Sequence, residues 1–248
     1  MESNFNFYSM YYDLLYTTKN YNEEAKYISE CIKKYHPNAE KVLEFGSGTG
    51  IHGLILQKMG YDIYGIERSQ QMVDQALLND YPCMQADIVD FKMDRQFDVV
   101  IALFHVISYL NDNESLEKTF RNASKCLKQE GLFIFDIWYS PAVYSLKPET
   151  RIKKVENEEI SVIRFAEPEM HVNSNVVDVN YSILVKNKST DHWIEFEEKH
   201  PMRHFSIPEI SLLAKLTGFE LLKAEEFLTG KLPSENTWGV NFILKKIE

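Results

Sequence analysis

At 248 residues the chain is long enough for one large domain or one and a half, and with 44% hydrophobic, 13% aromatic and 26% charged residues it can bury a full core, which excludes a largely disordered protein. Lys+Arg 27 against Asp+Glu 37 gives a formal net charge of −10, and no basic cluster stands out against that field, so no nucleic-acid partner is expected. Cys31, Cys83 and Cys126 are far apart and odd in number, which reads as reduced thiols; Met1-Glu2-Ser3-Asn4-Phe5 has neither the basic start nor the apolar run of a secretory signal, and no stretch approaches about 18 uninterrupted apolar residues, so the expectation is a cytoplasmic protein without a membrane segment.

The chain opens on an aromatic arm, Phe5-Asn6-Phe7-Tyr8-Ser9-Met10-Tyr11-Tyr12-Asp13-Leu14-Leu15-Tyr16, followed by a predicted helix over Tyr21 to Tyr35. An arm this rich in tyrosine and poor in charge packs on something, either clamped to the core or as a lid over a ligand. From Lys41 to Trp138 short apolar runs alternate with amphipathic stretches, the pattern of a parallel sheet covered by helices. Strands are expected at Lys41–Phe45, Tyr61–Glu67, Pro82–Ala86, Phe97–Leu103 and Gly131–Trp138, with helices starting near Ile51, Ser69 and Asn113, the last two as N-caps.

After Trp138 the pattern changes. Val177, Val179, Tyr181, Ile183 and Val185 alternate with Asp178, Asn180, Ser182 and Lys186, a period of two that predicts half-buried antiparallel strands within residues 150 to 200. Ser206-Ile207-Pro208-Glu209 has the form of a capping box opening a helix that carries Leu212, Leu213 and Leu216, with Gly218 just beyond its end. Strands at Glu220–Phe227 and Trp238–Lys245 close the chain. The division predicted is an arm and helix (1–35), an α/β cofactor domain (36–138 and 206–248) and a β-rich insertion (139–205) forming a substrate wall.

The strongest motif is Val42-Leu43-Glu44-Phe45-Gly46-Ser47-Gly48-Thr49-Gly50, a strand running into a glycine turn that opens a helix. Gly48-Thr49-Gly50-Ile51-His52-Gly53 also satisfies the GxGxxG dinucleotide pattern, with Glu67 about 20 residues on, so a NAD-dependent oxidoreductase is one reading. Charge separates the two cofactor classes. A carboxylate at Glu44 beside a pyrophosphate would repel it by several kcal/mol on a rough Coulomb estimate. S-adenosylmethionine instead brings an ammonium and a sulfonium, which such an acid attracts, and the helix start after Gly50 suits the methionine carboxylate. Close approach of the ligand would then bar side chains at Gly46 and Gly48. Glu67 ends the second strand, placed to accept from ribose hydroxyls; Asp87 follows the third, placed to accept from an adenine amino group with Ile88 packed on the ring. Three acids leaving three successive strands at one sheet edge is the specific part of the signal.

The run Glu44-Phe45-Gly46-Ser47-Gly48-Thr49-Gly50 with Gly65-Ile66-Glu67-Arg68-Ser69 and Ala86-Asp87-Ile88 resembles the class I S-adenosylmethionine-dependent methyltransferases. Tyr12-Asp13-Leu14-Leu15-Tyr16, Lys19-Asn20-Tyr21 and the β-rich insertion are similar to the small-molecule branch that includes aminosugar N-methyltransferases. The resemblance implies a Rossmann-like seven-stranded, mostly parallel sheet, S-adenosylmethionine as cofactor, and Ser47 and Arg68 beside Glu44, Gly46, Gly48, Gly50, Glu67, Asp87 and Ile88 in its site. It also implies that Tyr16 and Tyr21 close over cofactor or acceptor. Residues leaving the fourth and fifth strands, Phe104, His105, Tyr109, Asp136 and Trp138, should line the pocket. His105 is either a satisfied interior histidine or the base that orients an acceptor, with Tyr109 and Tyr16 as further catalytic candidates. Arg203 and His204 are candidates for a substrate phosphate or carboxylate against the alternative of a surface cluster. His36, His52, His171 and His192 show no metal spacing, and Pro201 spoils the His200/His204 pair, so no metal is expected. The expected acceptor is a small polar molecule, methylated at N or O, by a monomer or homodimer; a regulatory module that binds the cofactor without chemistry is the third reading.

Overall fold

The computed structural model describes residues 14, 15, 17 and 19–247, so most of the aromatic arm, Tyr16 included, lies outside the described residues. Two compact units emerge, one formed by the described residues before 20 together with 147–203, the other by 20–146 and 204–247. The helix Tyr21–Tyr35 lies in the larger unit.

The larger unit is a seven-stranded sheet. β1 (Lys41–Phe45), β2 (Asp62–Glu67), β3 (Cys83–Gln85), β4 (Phe97–Ala102) and β5 (Leu127–Tyr139) are parallel in the order β3-β2-β1-β4-β5, and the sheet continues antiparallel through β11 (Gly239–Lys246) to β10 (Phe219–Glu226). Its helices are α1 (Tyr21–Tyr35), α2 (Ile51–Lys58), α3 (Gln70–Leu78), α4 (Asn113–Cys126), α5 (Ser140–Leu146) and α6 (Ile207–Leu216). Period-two alternation splits β5 between two cores. Phe133, Phe135 and Ile137 join the side covered by α4 and α6; Leu132 and Ile134 join that of α1 to α3. α4 buries Leu116, Thr119, Phe120, Ala123 and Cys126, the stripe its sequence spacing predicts, and burial of Phe120 alone contributes roughly 1.5–3 kcal/mol. Its cap is Asp112, one residue before the expected Asn113: the Asp112 carboxylate accepts from Ser115 N at 2.8 Å. Ser69 and Ser206 cap α3 and α6 as expected, and Gly218 takes the left-handed conformation (φ +83) after α6. α1 is tied to the antiparallel edge by Tyr27, whose hydroxyl donates to Glu225 (2.8 Å) and accepts from Asn241 Nδ2 (3.2 Å).

The smaller unit holds an antiparallel meander, β6 (Arg151–Glu156), β7 (Ile160–His171), β8 (Val176–Asn187) and most of β9 (His192–Phe205), in the order β6-β7-β8-β9. Leu15, Ile160, Val162, Ile183 and Val185 form its core. The last two residues of β9, His204 and Phe205, belong to the larger unit and pair with Trp138 and Tyr139. Among the described residues no helix is long and apolar enough to cross a membrane.

Candidate functional site

The glycine turn leaves β1 at the carboxyl edge of the parallel strands. Gly46, Gly48 and Gly50 all have positive φ (+63, +56 and +81), a conformation that only glycine adopts without strain. Their surroundings differ. A Cβ on Gly46 would lie 2.6 Å from Val106 Cγ2, so that position is closed by the protein itself, against the expectation that a ligand closes it. A Cβ on Gly48 would meet nothing within 4 Å, which leaves this part of the turn open for a ligand to approach.

Beneath the turn Glu44 has a partner that was not anticipated, Tyr81. Glu44 is 2% exposed, and the Tyr81 hydroxyl donates to its Oε2 at 2.7 Å. Burial first, then the neighbouring Glu44 carboxylate, holds the Tyr81 hydroxyl well above its ordinary range, so it stays a donor. The Tyr81 ring is fully buried, between β2 and α2. It fits there because three positions lack side chains. Cβ atoms on Gly50 and Gly53 would overlap the ring, and one on Gly65 would lie 2.6 Å from Cε1. Gly65 stands opposite Glu44 in the β1–β2 register, so its bare backbone opens the way for Tyr81 to cross β2 and reach the acid. The third glycine of the GxGxxG pattern thus serves Tyr81.

Glu67 is locked on both oxygens, Oε2 accepting from Gly48 N (3.0 Å) and Oε1 from Ser69 N (2.8 Å), which ties the glycine turn to the end of β2. Asp87 Oδ1 accepts from Val89 N (2.9 Å), and Ile88 beside it is half-buried. Ser47 turns inward instead: its hydroxyl lies 3.3 Å from Cys83 Sγ, its N–H donates to Ile66 O and its carbonyl accepts from Gly50 N. These contacts shape the turn. The Arg68 side chain is exposed. Tyr21 packs edge-on against His52 (4.9 Å), and His52 Nε2 lies 2.7 Å from Glu24 Oε2, joining the starts of α1 and α2.

At the next strand ends the structure brings His105 and Asp136 together. Asp136, 1% exposed on β5, accepts the His105 backbone N–H (3.2 and 3.3 Å) and lies 2.6 Å from His105 Nδ1 through Oδ2. The backbone bends sharply to allow this. Phe104 and His105 both have positive φ (+65 and +63), a strain of roughly 1–2 kcal/mol each that the surrounding contacts hold in place. The His105 ring is thus held through Nδ1 by a buried carboxylate and is itself 22% exposed. Trp138 stands edge-on to His105 (6.1 Å) and to Trp238 (5.4 Å), and Tyr109 is 44% exposed on the 3-10 turn Val106–Tyr109.

Arg203 and His204 point to opposite faces of β9 and fall in different units. His204 is 1% exposed, its Nδ1 2.8 Å from Ser140 Oγ and its ring edge-on to Tyr144, an interior position and not a surface cluster. In the smaller unit, Glu169, His171 and Asp178 bring their ligand atoms within 4.8 Å of one another, through a register that sequence spacing did not show. The Lys199 ammonium stands 2.7 Å from the same Asp178 oxygen that contacts His171, supplying the cation there.

A family model described as a methyltransferase domain matches residues 16–224. The chain is 25% identical over 223 residues to a dTDP-3-amino-3,4,6-trideoxy-alpha-D-glucopyranose N,N-dimethyltransferase of Streptomyces venezuelae, covering 88% of this chain and 91% of that one. Among solved structures, an S-adenosylmethionine-dependent methyltransferase from Clostridium acetobutylicum superposes with a TM-score of 0.84 at 20% identity, covering 98% of this chain and 99% of that one. The sugar N-methyltransferase KedS8 from a Streptoalloteichus species gives 0.83 at 23% identity over 97% and 93%.

Proposed function

The chain belongs to the methyltransferase domain family, and on that premise we propose that it is an S-adenosylmethionine-dependent enzyme that methylates the amine of a small polar acceptor, an aminosugar or its nucleotide. The single observation that carries the acceptor chemistry is the His105–Asp136 pair at the ends of β4 and β5. S-adenosylmethionine supplies an electrophilic methyl on a sulfonium that departs as a neutral thioether. The residues fit that cofactor: an open turn at Gly48, a buried acid at Glu44 for an ammonium, Glu67 fixed for the ribose and Asp87 with Ile88 for the adenine. Family membership lends no support to the NAD-dependent reading.

Methyl transfer to an amine needs alignment first, and a base only to take the proton that the nitrogen loses. Asp136 faces Nδ1 and so presents Nε2 as the nitrogen that accepts it; Asp136 also stabilises the imidazolium that results. Trp138, Tyr109 and Phe104 are placed to border the acceptor, and Tyr21 to cover the cofactor end. The nitrogen acceptor is favoured by the aminosugar relative.

The test is a labelled-methyl transfer screen over amino sugars and their nucleotides, small amines and hydroxy compounds. Transfer to an amino sugar is expected. H105A should lower kcat on that acceptor by about 10²-fold or more while S-adenosylhomocysteine affinity stays within about twofold. Turnover of hydroxy compounds alone would overturn the nitrogen assignment, and full turnover by H105A would remove the base.

A further inference from the structure

We propose that Tyr81 is a positioning residue of the cofactor site, its hydroxyl fixing the Glu44 carboxylate in the attitude that receives the cofactor's ammonium. The proposal rests on the reading of Glu44 as the ammonium's partner and extends it to a residue that never meets the ligand.

Packing alone does not call for a tyrosine at this position. The slot bounded by Gly50, Gly53 and Gly65 is filled by the ring, which phenylalanine would supply without a polar atom to bury. The hydroxyl is accommodated because it ends 2.7 Å from Glu44 Oε2. Glu44 is 2% exposed, and the strength of a charge-assisted hydrogen bond to an ammonium depends steeply on how the carboxylate is oriented. One oxygen tethered from behind by a donor on a fully buried ring selects the attitude before the ligand arrives, which is preorganisation. Three glycines, two on α2 and its cap and one on β2, are given up to hold that ring. Burial and the charge of Glu44 keep the hydroxyl protonated, so the tether persists across the working pH range.

Y81F removes the oxygen and keeps the ring. Its binding is measured by calorimetry with two probes: S-adenosylhomocysteine, which carries the ammonium, and 5′-methylthioadenosine, which keeps the adenosine and lacks the amino acid. Affinity for S-adenosylhomocysteine is expected to fall about tenfold, the scale of one charge-assisted hydrogen bond, with 5′-methylthioadenosine unchanged within about twofold. In an E44Q background the same change should have no further effect. Equal losses for both probes, or additive losses in the double variant, would mean that the hydroxyl serves the fold alone and would overturn the proposal. E44Q weakening S-adenosylhomocysteine while Y81F does not would overturn the role of Tyr81 and leave Glu44's intact; E44Q without effect would remove the underlying reading as well. If Y81F fails to fold, E44D serves: it keeps the charge and withdraws the carboxylate from the hydroxyl by one methylene. A comparable loss for S-adenosylhomocysteine is expected, and wild-type affinity would overturn the proposal.

Discussion

Gly53→Ala separates the helix's preference from the demands of the ring that packs on it. Gly53 lies in α2, where alanine is favoured over glycine by roughly 1 kcal/mol, so local propensity makes the substitution stabilising. The added Cβ would overlap Cε2 and Cζ of Tyr81 and sit 2.5 Å from its hydroxyl. Overpacking of this kind costs about 1–3 kcal/mol, and displacing the hydroxyl from Glu44 forfeits a charge-assisted hydrogen bond of about 1.5–3 kcal/mol. The balance is a net destabilisation of about 2 kcal/mol, which lowers the melting temperature by about 4–8 °C for a chain of this size. Urea unfolding of G53A, Y81A and the double variant tests it. In the Y81A background the obstruction is gone and G53A should stabilise by about 0.5–1 kcal/mol, a reversal of sign and a coupling of about 2.5 kcal/mol or more. If G53A is stabilising in the wild-type protein, or has the same effect in both backgrounds, the account of Gly53 as room for Tyr81 is wrong.

Glu67→Gln leaves one acceptor oxygen for the two backbone donors at Gly48 and Ser69, so it should destabilise the unliganded protein by about 1–3 kcal/mol and weaken 5′-methylthioadenosine along with S-adenosylhomocysteine, a pattern distinct from that of Y81F in melting and calorimetry. Asp98 is 5% exposed; burial works to raise its carboxyl, but Lys128 and the backbone N–H groups of Lys41 and Glu40 outweigh it and hold the group below the ordinary range. A group lowered in the folded state gives stability that is full above the unfolded value near 4 and lost as pH falls through the folded value, so the gap of about 2 kcal/mol expected between wild type and D98N should be flat from pH 7 to about 4 and close below it; a gap that closes above pH 5 would count against the assignment. Burial pushes the Cys31 and Cys126 thiols up to about 11 and raises Cys83, and all three are buried, so the native protein at pH 8 should resist a thiol reagent that modifies all three after unfolding; rapid modification of one would contradict the packing.

The limits of sequence reading follow from the distance over which each feature is determined. The bounds of β1 and α1 match the expected residues, because hydrophobic period and capping residues act within a few positions. The placement of the acids at 44, 67 and 87 along one edge of the sheet was legible because a parallel α/β pattern fixes where each strand ends. Tyr81 was not: its partners are Glu44 and glycines at 50, 53 and 65, which meet only once the β1–β2 register sets Gly65 beside Glu44. Gly53 misled for the same reason, since a pattern of spacings does not say what the glycine makes room for. Nothing in the sequence marks Asp98, because only the β1–β4 register brings the N–H groups of Glu40 and Lys41 to its carboxylate. His105 and Asp136 were both placed at strand ends, but their contact depends on left-handed backbone at two successive residues, His105 and Phe104, the latter a bulky type that does not favour it. Local propensity opposes that bend, so it persists through what it brings together: the His105 N–H and ring nitrogen on one buried carboxylate, and Val106 of the following turn against Gly46. The bend that orients the histidine therefore also closes one side of the glycine turn, and a substitution that relaxed it would disturb the His105–Asp136 contact and the turn at Gly46 together.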